Sequence, residues 1–185
     1  MRFIYLLLLI FLLPQFSSCN GPRFLDPPHI EIARNNIGVP PTDSINGWLR
    51  FVGLGPNNPW CAAALSSWLH QANVRQPQVR SGLARDFATR SPARIRVSAG
   101  RVLIGAVAIP RGSLVVFRRG DTIFGHVGIA TEHWRGQTGM YISGNTSRPG
   151  SGGSEFSGGG VWEKPVSIVP SAHLRITEFV YVIYF

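Results

Sequence analysis

Cys61, His126 and Asn145 are the residue types of a thiol-based hydrolase. Cys61 follows Asn58-Pro59-Trp60 and opens the apolar run Ala62-Ala63-Ala64-Leu65, His126 stands in Gly125-His126-Val127-Gly128-Ile129, and Asn145 follows Gly144. A thiol is a poor nucleophile until it ionises. In the first turn of a helix the unpaired N–H groups and the dipole favour the thiolate, so Cys61 is expected to have a lowered pKa. An imidazole beside it can take the proton and return it to a departing amine, and a side-chain carbonyl can orient the ring. That assigns Cys61 as nucleophile, His126 as base and Asn145 as the orienting group. The backbone N–H of Cys61 would meet the developing oxyanion, with a second donor from the side chain of Asn58 or Asn57. Trp60, Trp134 and Trp162 are candidates for the walls of a substrate cleft. Each assignment has a plainer rival. Cysteine and tryptophan are common core residues, a lone strand histidine is usually structural, and Gly-Asn often marks a turn.

The elements that must position these groups can be read from periodicity. His29 to Ile37 reads as a short helix ended by Gly38 and Pro40-Pro41. A second helix runs to about Val52, with Thr42, Asp43 and Ser44 offering cap oxygens and Ile45, Trp48, Leu49 and Val52 on one stripe. Trp60 to Ala72 is the strongest helix, with Cys61 in its first turn. Ser81 to Thr89 suits a further short helix. Strand character then takes over: Arg94 to Val97, Val102 to Ile109, Leu114 to Phe117, Val127 to Glu132, Met140 to Ser143, Val161 to Val169 and Phe179 to Phe185. The Gly- and Ser-rich stretch Arg148 to Gly160 suits a mobile loop beside a cleft. Helices first and antiparallel strands after is the α+β arrangement.

Composition limits the rest. A chain of 185 residues, 44% hydrophobic, can bury one sizeable core. Met1-Arg2, the apolar run Phe3 to Leu13 and the small residues before Cys19 form a secretory signal over 1–19, too short to span a bilayer. Phe16-Ser17-Ser18-Cys19 also resembles a bacterial lipobox, which would make Cys19 a lipidated membrane tether. Residues 20–28 are then a spacer and 29–185 the folded domain. Two cysteines in an exported chain pair by default, but Cys19 has its own explanation in the leader, which leaves Cys61 for chemistry. The five histidines match no zinc spacing, so neither metal nor cofactor is expected. The net charge of +9 implies an anionic partner. Outside the cell that means wall carboxylates, anionic wall polymers or membrane headgroups. Nucleic acid is disfavoured by the leader, and the run of arginines from Arg75 to Arg101 also reads as a solvated face.

Pro59-Trp60-Cys61-Ala62-Ala63, Ser81-Gly82-Leu83-Ala84-Arg85-Asp86-Phe87, Gly112-Ser113-Leu114-Val115-Val116-Phe117 and Gly125-His126-Val127-Gly128 occur in that order. Together they resemble the CHAP (cysteine, histidine-dependent amidohydrolase/peptidase) family of papain-like bacterial and phage cell-wall hydrolases. The resemblance covers about residues 30 to 185. It implies a papain-like fold, a peptidoglycan substrate, and the roles of nucleophile, base and orienting residue at Cys61, His126 and Asn145. Two positions depart from the family: Ser143 stands where many members carry a Glu, and Ser113 replaces a common Asp. The expectation is an exported monomer, an N-acetylmuramoyl-L-alanine amidase or endopeptidase, acting through a thioester. The rivals are a non-catalytic wall-binding lipoprotein and a papain-like acyltransferase.

Overall fold

The structure, a computed structural model, describes residues 25–75, 79–153, 158–170 and 179–180. The expected leader, Cys19 and the spacer up to residue 24 lie outside the described residues. Four helices come first: α1 (Pro28–Arg34), α2 (Thr42–Phe51), α3 (Cys61–Gln71) and α4 (Ala84–Thr89). A 3-10 turn at Ala93–Ile95 leads into β1 (Arg96–Val97), and α5 (Ala99–Leu103) follows. The remaining strands are β2 (Leu114–Arg118), β3 (Gly125–Ala130), β4 (Thr138–Thr146), β5 (Gly160–Ser167) and β6 (Phe179–Val180). They form one antiparallel sheet in the order β1-β6-β2-β3-β4-β5. The chain is α+β, with its helices packed on an antiparallel sheet.

Both sheet faces are covered, which accounts for the unbroken apolar run in β2. Leu114 and Val116 join the helix-side core with Ile30, Leu65, Trp68, Val127, Ile129 and Ile142. Val115 and Phe117 point the other way, into a second core with Val102, Ile109, Trp134 and Tyr141. α3 is wedged between α1 and α2 on one side and β3 and β4 on the other. Small side chains permit this: Ala62, Ala63 and Ala64 are fully buried, so neighbouring backbones approach closely.

Two expectations need correction. Thr42, Asp43 and Ser44 do not cap α2 through their side chains. Pro41 holds the cap position, and its carbonyl accepts the N–H groups of Ser44 (3.0 Å) and Ile45 (3.2 Å). The backbone closes that first turn unaided. The strand expected over Val102 to Ile109 is replaced by α5 and a loop. Ala99 and Val102 are three apart and enter the second core together, a helical spacing, and Gly105 at φ 73 then ends the turn.

Charged side chains pin the start of the domain. Arg34 makes a two-pronged contact with Glu163 on β5 (2.9 and 2.8 Å) and also pairs with Asp26, which pairs in turn with Arg111. The segment before α1 is thereby tied to the sheet. The arginines from Arg75 to Arg101 are all exposed or half-buried, and among them Arg80 lies over the Phe51 ring at 4.2 Å.

Candidate functional site

Cys61 is the first residue of α3, and Trp60 occupies the cap position without a side-chain cap bond. The sulfur lies near the backbone amides of Val127 on β3, Ala62 and Cys61 itself. The amides favour the thiolate, but complete burial favours the neutral thiol more strongly, and the Cys61 pKa is pushed up to about 11. This corrects the expectation of a lowered value. A helix N-terminus activates a cysteine when solvent or a counter-charge also reaches it, and here the thiol is completely buried in the helix-side core.

His126 immediately precedes Val127, so its backbone lies beside the thiol. Side chains alternate along a strand, and Val127 faces the helix-side core that contains Cys61. The His126 ring accordingly leans towards Tyr141, edge-on with centroids 6.3 Å apart and planes at 73°. It is fully buried, and burial, with a smaller contribution from the Lys164 charge, lowers its pKa to about 3. The imidazole is therefore neutral at physiological pH. That is the state a general base requires.

Asn145 sits within β4, where the pairing with β5 slips between Ser143 and Thr146. Its φ is 56, so Gly144-Asn145 is a bulge inside the strand and not a terminal turn. Gly144 is needed there because a Cβ would lie 2.6 Å from the Trp60 ring. The bulge lets β4 pack flat on Trp60. It also turns Asn145 into a cleft of about 460 Å³ lined by Thr42, Ile45, Asn46, Leu49, residues 56–60 and Asn145.

The predicted residues therefore divide. Asn58, Trp60 and Asn145 share the cleft, with Asn57 beside them. Cys61 follows Trp60 in sequence but does not line the cleft, and the His126 ring packs against Tyr141 on the sheet face away from Cys61. Trp60 lines the cleft although it is only 6% exposed, since its ring is held 5.4 Å from that of Trp48. Trp134 is not a cleft wall. It is buried in the second core and donates its indole N–H to the Met140 carbonyl at 3.0 Å. Trp162 lies on β5 under Arg148 and does not line this cleft. Sequence reasoning missed Ile45, Asn46 and Leu49 of α2 as cleft residues. Ile45 and Leu49 belong to the apolar stripe of α2, whose spacing does not distinguish a core face from a cleft wall, and Asn46 carries no such signal.

Among the described residues, no group of three or more His, Cys, Asp or Glu side chains is placed to hold a metal ion, and no helix is long and apolar enough to cross a membrane. Neither protein-family models nor curated proteins match the chain.

Proposed function

We propose that the chain is an exported cell-wall hydrolase with a papain-like, CHAP-type fold that cleaves amide bonds of peptidoglycan through a Cys61 thioester. The observation that carries the reading is the packing of the start of α3 on β3, which puts the Cys61 sulfur near the Val127 amide. It brings the first turn of a buried helix against the strand residue next to His126, beside a cleft that also receives Asn145. The resemblance of the Pro59-to-Ala63 and Gly125-to-Gly128 segments to the CHAP family supports the same assignment.

Substrate would enter along the Asn57–Trp60 loop. Thiol and imidazole both start neutral, so the proton moves from sulfur to His126 as the sulfur attacks the carbonyl carbon. No ion pair needs to be stored beforehand. Backbone N–H groups at the start of α3 receive the oxyanion. The imidazolium then protonates the leaving amine, and the C–N bond breaks to give the thioester. Water, deprotonated by His126, releases the acid and restores the thiol. The reading requires the imidazole to reach the sulfur when the cleft is occupied. That takes more than a side-chain rotation: His126 pairs with Phe117 and its side chain leaves the sheet on the face opposite Cys61, so the Gly125–Gly128 segment of β3 has to shift. Under this reading Cys19 tethers the enzyme at a membrane surface facing the wall.

One observation favours a second reading, a non-catalytic wall-binding protein: burial holds the thiol in its neutral form. Lysis of purified peptidoglycan separates the two. Wild-type protein is expected to release soluble muropeptides and Cys61→Ala to release none, and equal release by both would overturn the assignment. Mass spectrometry of the new ends identifies the bond and also separates hydrolysis from acyl transfer.

A further inference from the structure

Among the described residues, three non-glycine positions have positive φ: Asn57 (φ 67), Asn73 (φ 52) and Asn145 (φ 56). Asn57 and Asn145 come from segments far apart in sequence, yet both line one cleft, together with Asn46 and Asn58. We propose that this cleft grips an uncharged stretch of peptide through its backbone amides, an inference that rests on the hydrolase reading and names the part of the substrate bound next to the reacting bond.

The lining chemistry selects this ligand. Although the chain carries a net charge of +9, no charged side chain lines the cleft. A carboxylate or phosphate would lose its hydration there without a counter-charge. A carboxamide offers both a donor and an acceptor, matching the N–H and C=O of a peptide unit, and four asparagines share the lining with the apolar Ile45, Leu49 and Trp60. The Asn58 amide nitrogen donates to the Gly55 carbonyl at 3.0 Å, which fixes that side chain before any ligand arrives. A sugar ring is a poorer fit, because sugars pack on an open aromatic face. The Trp60 ring is engaged with Trp48 and exposes only 6% of the residue. The volume, about 460 Å³, is within the range of sites that hold small ligands. The loop that lines the cleft, residues 56–60, runs directly into Cys61 in sequence.

The left-handed backbone at Asn57 supplies a clean variant. Glycine adopts this conformation without strain, so Asn57→Gly removes the carboxamide while relieving the backbone. The test is an NMR titration of ¹⁵N-labelled Cys61→Ser protein with two neutral probes, N-acetyl-trialanine amide and diacetylchitobiose. The peptide is expected to shift the side-chain amide signals of Asn57, Asn58 and Asn145, with the disaccharide leaving them in place at equal concentration. Asn57→Gly, in the same Cys61→Ser background, should weaken peptide affinity by about three- to tenfold, the loss of one neutral hydrogen bond, with an undiminished melting temperature. Shifts caused by the disaccharide alone, or by neither probe, overturn the proposal. Peptide binding by a protein whose wild type does not lyse peptidoglycan overturns the hydrolase and upholds the cleft; lysis without peptide binding does the reverse.

Discussion

Cys61 shows how two effects on one atom are ranked. Three backbone amides and the start of a helix stabilise the thiolate, whereas complete removal from water destabilises it, and the second wins by enough to bring the pKa to about 11. Alkylation by iodoacetamide should follow. At pH 7 the Cys61 rate should be roughly two orders of magnitude below that of an ordinary exposed thiol, and it should climb log-linearly past pH 9. A rate that levels off below pH 8 would show that solvent reaches the sulfur and that the thiolate is already formed. The residue types and order of Cys61, His126 and Asn145 were legible in the sequence, as was the helix start at Cys61. The burial that reverses the pKa was not, because it depends on β3 and β4, which come from distant parts of the chain. The direction of the His126 ring was hidden for a related reason: strand alternation fixes its face only once Val127 is known to point towards the helices.

At the level of elements, α3 and β4 set the geometry together, and their contact depends on missing side chains. A Cβ on Gly144 would stand 2.6 Å from the Trp60 ring and 3.3 Å from Ala64. Trp60 cannot withdraw, since Trp48 backs it and Trp68 packs edge-on against Trp48 at 5.9 Å. Gly144→Ala should therefore cost roughly 1–3 kcal/mol by overpacking. Gly136→Ala, where a Cβ meets nothing within 4 Å, should be close to neutral. Urea denaturation of the two variants checks this, and equal midpoints would mean that Trp60 is not held. Elements with a single clear period were readable in advance: α2 by its stripe, α3 by its alanines, and β2 to β5 by their Val- and Ile-rich runs. α5 was not. Val102 to Ile109 has strand composition, and only its packing in the second core selects a short helix for Ala99–Leu103.

For the whole molecule, the same burial that prepares His126 as a neutral base makes the fold sensitive to acid. In the unfolded chain the imidazole takes up a proton near pH 6.5, but in the folded protein it resists until about pH 3. Between those values the unfolded state binds the extra proton, so stability falls as pH falls, with a loss on the order of 3 kcal/mol by pH 4 from this residue. Glu163 acts in the same direction. Its hydrogen bonds and ion pair with Arg34 hold its carboxyl below the usual range, and the stability they contribute fades as acid protonates it. That second contribution is smaller, because the pair is partly exposed and screened by solvent. Two sites on opposite sides of β4 thus weaken together: the ring beside Tyr141, and the Arg34–Glu163 link that ties α1 to β5. Urea denaturation at pH 7, 5.5 and 4 should show a falling midpoint. His126→Gln, lower in absolute stability for want of a well-fitted ring, should show a flatter dependence across that range. A wild-type midpoint unchanged from pH 7 to pH 4 would mean that His126 already carries its proton in the folded state, and the acid-base cycle would then have to begin from an imidazolium.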